Sequence, residues 1–86
     1  MHNYLVEFFG TLLLVFVILW TGDPLAIGVT LGLLVYLYGK VSGGAFNPAV
    51  SIALYFNKKL SLNESVTYVL LQVVAGISAY FLYKLK

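Results

Sequence analysis

The chain has 86 residues, 62% of them hydrophobic and 9% charged, with a mean hydropathy of +0.98 and a formal charge of +2. A soluble domain this small needs far more polar surface, so the composition is that of an integral membrane protein. There is no cysteine, which excludes disulfides, thiol metal sites and thiol nucleophiles, and one histidine with three carboxylates leaves little material for an enzyme.

The first apolar segment runs from about Tyr4 to Trp20. It has no basic leader and no small-residue cleavage site, and Trp20-Thr21-Gly22-Asp23 reads as an interfacial turn, so it is expected to be a span and not a removed signal. Glu7 lies about one turn inside it, where an ionisable side chain is costly and normally faces a partner or a cavity. A second segment runs from about Leu25 to Tyr38 or Lys40. It is short for a span, which needs roughly 17–25 residues, unless it extends at both ends. Asp23-Pro24 is a good helix start, with Asp as cap and Pro at the next position. A third, polar stretch, Val41 to Phe46, is rich in Gly and Ser. It leads into Asn47-Pro48 and an apolar helix from Pro48 to about Phe56, about 13 Å long and under half the hydrocarbon thickness. Ser61-Leu62-Asn63-Glu64 is a capping-box pattern opening a last span to about Tyr83.

The expected layout is therefore all-α: a single unit over residues 1–86, with span, span, re-entrant half-span (41–56) and span, and no internal repeat or soluble domain. Lys40, Lys58, Lys59 and the N-terminal amine fall on one side; Lys84, Lys86 and Asp23 fall on the other. Lysines at segment ends are how membrane proteins place positive charge, and do not indicate a nucleic-acid surface. Three against two favours a cytoplasmic N-terminus by a narrow margin. Trp20, Tyr36, Tyr38, Tyr55, Tyr80 and Tyr83 read as interfacial anchors. Gly28-x-x-x-Gly32 is a close-approach motif for packing. Asn63-Glu64-Ser65 matches the glycosylation sequon by chance, since the topology places it in the cytoplasm.

Asn47 is a good N-cap and Pro48 suits the first helical position, where its missing N–H would be unpaired anyway. A helix that begins inside the bilayer must face protein or water, because lipid cannot satisfy its open N–H groups. The motif therefore describes a half-helix aimed at a polar pathway. Gln72 reads either as an interhelical hydrogen-bonding residue or as a support for that loop. No nucleophile–base pair, metal cluster or phosphate-binding loop is visible, so no enzyme and no cofactor or metal is expected.

The stretch Ser42-Gly43-Gly44-x-x-Asn47-Pro48-Ala49-Val50-Ser51 resembles the first Asn-Pro-Ala box of the aquaporin, or major intrinsic protein, family. Glu7-Phe8-Phe9-Gly10-Thr11 is similar to that family's first-helix pattern. Gly28 and Gly39 fall at glycines common in its second helix, and Gln72 falls in its third-helix pattern. The chain departs from the family at Ala45, where His is usual, and in a very short link between the first two helices. The resemblance covers one repeat of two. It implies a narrow channel for water or small neutral solutes. Asn47 would donate hydrogen bonds to the permeating molecule. Pro48 would fix the turn, and Ala49 would allow close packing where two such boxes meet. The backbone carbonyls of Gly43, Gly44, Ala45 and Phe46 would line the mouth, and Glu7 and Gln72 would hold the loop. Counting back from Asn47 puts Ile27 at the family's filter position, where it is either a filter residue or an ordinary lipid-facing one. The family's filter Arg has no counterpart, since the chain contains no Arg. One half-helix cannot surround a pore. The expected partners are therefore the lipid bilayer, the solute, and either a second inverted copy or another channel half. The alternatives are a partial product that conducts only with its missing half, or a non-conducting subunit that assembles with full-length channels.

Overall fold

The computed structural model describes residues 2–85. It consists of four helices in chain order: α1 (His2–Thr21), α2 (Pro24–Ser42), α3 (Pro48–Phe56) and α4 (Leu62–Lys84). No strand occurs among the described residues. Three of the helices, of 20, 19 and 23 residues, are long and apolar enough to cross a bilayer, while α3 has nine residues. This is the layout of one aquaporin-like repeat.

Each start has a local cause. The Asp23 carboxylate accepts the Ala26 N–H at 2.8 Å with Pro24 behind it, which opens α2. Ser61 and Glu64 form a reciprocal capping box at α4, with bonds of 3.1 and 2.9 Å. The second helix differs from the expected 25–40. It begins at Pro24 and runs through Val41 and Ser42, which the Gly/Ser-rich composition had placed in the loop. It stops at Gly43, whose φ of +91° turns its N–H back onto the Gly39 carbonyl at 2.7 Å. The two extensions bring the helix to spanning length.

Burial is inverted relative to a water-soluble domain. Glu7, Thr11, Ser42, Ser51, Ser65 and Gln72 are inside, whereas Leu25, Tyr36 and Phe56 are 74–83% exposed. Such a pattern is stable only where the surroundings are apolar, and it places hydrogen bonds where lipid would leave polar groups unmet. Helix α1 packs against both α2 and α4, and α3 packs against α4 alone. Small residues, Gly10 on α1 with Ala75 and Ala79 on α4, are fully or nearly fully buried where neighbouring helices approach closely.

The position of α3 follows from its bonds to α4. Ser51, in its first turn, meets Gln72 near the middle of α4, and its carbonyl accepts from Ser65 further back. Tyr55 and Phe56 lie beside Leu62, at the start of α4. Helix α3 thus begins level with the centre of α4 and runs antiparallel to its first half. Lys40 and Lys59 line one cavity with Asn3 and Glu64, so the ends of α2 and α3 and the starts of α1 and α4 share one end of the bundle. Lys84 stands at the opposite end of α4. Lys86 and the N-terminal amine, which the charge argument also used, lie outside the described residues.

Candidate functional site: a propped loop and its asparagine cap

Only five residues, 43–47, separate α2 from α3, and their backbone is unusual. Gly43 and Gly44 have φ of +91° and +68°, and Phe46 has +53°. Glycine enters that region freely, but an aromatic residue does so only when its surroundings hold it there. A Cβ on Gly44 would come within 3.4–3.5 Å of Val35 and the Gly39 backbone, so the loop lies close on α2.

Glu7 is the centre of the site. Its carboxylate is fully buried and accepts four hydrogen bonds. Oε2 takes the Ser42 hydroxyl at 2.6 Å and the Ala45 N–H at 3.1 Å. Oε1 takes the Phe46 N–H at 2.7 Å and Gln72 Nε2 at 3.0 Å. None of these donors carries a formal charge. Together they occupy the acceptor capacity of both oxygens and replace the hydration that a buried carboxylate loses. Ser42 also accepts the Gly44 N–H at 3.2 Å, so one hydroxyl joins the loop to the prop.

The network continues to the start of α3. Gln72 Nε2 also donates to Ser51 Oγ at 2.7 Å, and Ser51 Oγ donates to the Asn47 carbonyl at 3.0 Å, with Gln72 Oε1 at the same distance. Glu7, Gln72, Ser51 and Asn47 are therefore linked across α1, α4 and α3. On a further strand of contacts, the buried Tyr68 hydroxyl donates to the Ser42 carbonyl at 2.5 Å and its ring meets Tyr4 edge-on. Sequence reasoning singled out Glu7 and Gln72 but assigned no such part to Ser42, Ser51, Ser65 or Tyr68. The available signal was that each is a polar group inside an otherwise apolar helix.

Asn47 is exposed, in extended conformation, and its Oδ1 accepts the N–H groups of Ala49 (2.7 Å) and Val50 (3.3 Å). Pro48 has no N–H, and Ser51 N donates to the Asn47 carbonyl at 2.9 Å. The open donors of the first turn are thus all consumed by Asn47. What remains is its own Nδ2, which donates to nothing among the described residues. Pro48, Ala49 and Val50 are exposed beside it. Ala45 and Phe46 are buried at 3% and 2%, Gly43 is exposed and Gly44 half-buried. None of the carbonyls of Gly43, Gly44, Ala45 and Phe46 accepts a hydrogen bond among the described residues. Ile27 sits half-buried in the first turn of α2. Because α2 packs only on α1 and α3 only on α4, one chain does not bring Ile27 against Asn47. The sequon at Asn63 is an exposed first-turn position whose third residue, Ser65, is buried and bonded to the Ser51 carbonyl at 3.0 Å.

A family model described as "Major intrinsic protein" matches residues 20–85, most of the chain. The chain belongs to the major intrinsic protein family. It is 40% identical over 88 aligned residues to Glycerol uptake facilitator protein-like 6 of Lactiplantibacillus plantarum, covering 92% of this chain and 41% of that protein. It is 44% identical over 59 residues to Probable aquaporin PIP2-7 of rice, Oryza sativa subsp. japonica (69% of this chain, 20% of the relative). It is 40% identical over 60 residues to Aquaporin Z of Photorhabdus laumondii (70% and 26%). The chain therefore spans about two-fifths of these curated relatives or less. No solved structure is a significant match. Family membership and three apolar helices together make this an integral, multi-pass membrane protein.

Proposed function

We propose that this chain is one half of a passive channel for water or a small neutral solute, formed when it assembles with a second half. The observation that carries the reading is the state of the Asn47 amide. Its oxygen is committed to α3, so it presents donors only. Those donors stand on an exposed surface level with the centre of a spanning helix. Left unmet in hydrocarbon, a polar amide of this kind costs roughly 2–7 kcal/mol, so the surface must be wet or covered by another polar group. A water or alcohol oxygen accepts from Nδ2, and the unbonded carbonyls of Gly43 to Phe46 offer acceptors on the approach. The positive end of α3 points at the same place and disfavours cations. Glu7 and Gln72 hold the loop that presents both.

In this reading residues 43–56 dip into the bilayer and return to the side they left, and the N-terminus is cytoplasmic. The second half is either an inverted copy of this chain or another half-channel. Ile27 and Val50 would then leave the constriction without the charged residue of the wider family, and with weaker exclusion of cations. Because the chain spans two-fifths of its relatives or less, a second reading is a non-conducting subunit that joins full-length channels. Stopped-flow shrinkage of proteoliposomes under water and glycerol gradients tests these readings, first with this chain alone and then with the chain and a separate second channel half. Flux above that of empty vesicles, abolished or made cation-leaky by Asn47→Asp, supports the channel. Flux equal to the control in both preparations, or flux indifferent to Asn47→Asp, removes the residue from the pathway.

A further inference from the structure

Gly10 lies on the buried face of α1, one turn beyond Glu7, and it has no room for a side chain. A Cβ there would stand 2.3 Å from Phe46 Cε1 and 2.8 Å from Cδ1, well inside the 3.5–4.0 Å at which carbon atoms rest. The aromatic ring is therefore seated directly over bare backbone. Phe46 itself is 2% exposed and held at positive φ, with its N–H on Glu7 Oε1 at 2.7 Å. Residues three apart on a helix share a face, so Glu7 and Gly10 grip the same residue at two points, one polar and one steric. The next residue in the chain is Asn47.

We propose that Gly10 is a positioning residue for Asn47. The gap it leaves on α1 is the seat of the Phe46 ring, and that seat fixes the backbone from which the Asn47 donors project. The effect on flux rests on the channel reading above, whereas the effect on the place of Asn47 does not. A methyl group at position 10 runs into the ring, so the ring must shift, and it does so from a buried position on a backbone that Glu7 holds. Ser42 and Ser51, by contrast, are held through hydroxyls that a shift of the ring leaves in reach.

The test uses the whole chain in vesicles, with Ala49→Cys as a unique thiol on the exposed surface beside Asn47; the chain has no other cysteine. The rate of labelling by a small thiol reagent is compared in this background, and the water and glycerol fluxes in the cysteine-free chain, for the parent, for Gly10→Ala, and for Gly10→Ala with Phe46→Leu. Leucine lacks Cε1, the ring atom nearest to the new methyl, and Cζ. Gly10→Ala is expected to change the labelling rate and lower water flux about five- to tenfold, the factor for one misplaced hydrogen bond. The double variant is expected to recover most of both. An unchanged labelling rate in Gly10→Ala overturns the proposal, as does a change that the leucine fails to reverse. If Gly10→Ala does not insert, Phe46→Leu alone decides: altered labelling supports the seat, and parental labelling refutes it. Absence of flux in the parent alone excludes an inverted copy as the second half and leaves the labelling comparison to judge Gly10.

Discussion

Replacing Glu7 with glutamine tests how far the loop depends on its prop, because the change keeps the size and removes half of the acceptors. Glutamine can keep its oxygen toward Phe46 N–H and Gln72 Nε2, the pair now on Oε1. Its amide nitrogen then faces two groups that were donating to Oε2. The Ser42 hydroxyl can rotate and accept, but the Ala45 N–H cannot, and an unmet buried donor costs about 1–3 kcal/mol. The two surviving bonds lose their charged acceptor, which weakens each by about 1 kcal/mol. The sum is about 3–5 kcal/mol, a large share of the stability of a small domain. Reversible unfolding in mild detergent, followed by the loss of helical signal, should show this loss for Glu7→Gln and a larger one for Glu7→Ala, which strands all four donors. The loop, and not the α1–α4 packing, should loosen first, seen as faster amide exchange at Ala45 and Phe46. Parental stability and exchange in Glu7→Gln would refute the reasoning, since it would mean that those N–H groups do not need the carboxylate.

Tyr68→Phe removes the hydroxyl bonded to the Ser42 carbonyl and should cost about 1 kcal/mol in the same assay. Faster exchange at the end of α2 should accompany it, while α4 itself stays intact. Thr11 is 4% exposed, and its hydroxyl oxygen has no hydrogen-bond partner among the described residues. Thr11→Val, nearly the same shape without the unmet polar atom, should therefore leave stability unchanged or raise it by about 1–3 kcal/mol. A clear loss of stability would show that the hydroxyl is bonded in the membrane.

The helix starts were legible because their causes are local. Asp23-Pro24, Asn47-Pro48 and Ser61 with Glu64 satisfy the first turns with residues two or three positions away. The end of α2 was not, because Val41 and Ser42 look like loop residues in a Gly/Ser-rich run. Ser42 is helical in a setting where its hydroxyl reaches Glu7, 35 residues earlier. Glu7 and Gln72 stood out as polar groups in apolar segments, and both lie in the one network. Ser51 and Tyr68 did not stand out, since a serine in a helix and a tyrosine near a helix end have ordinary explanations. Nothing in the sequence marks Phe46 for positive φ. That conformation is imposed by a carboxylate and a bare glycine on another helix. The relation between Ile27 and Asn47 rests on counting along a family pattern, and packing within one chain does not create it.

The partners of Glu7 are distributed very unevenly in the order of synthesis. Its own helix emerges first, yet three donors follow 35 to 39 residues later and the fourth, on Gln72, 65 residues later. Until they arrive, α1 is best placed shallowly, with the carboxylate among lipid headgroups. Its final depth becomes favourable only once the loop and then α4 have come alongside. A helix made later thereby decides where one made earlier comes to rest.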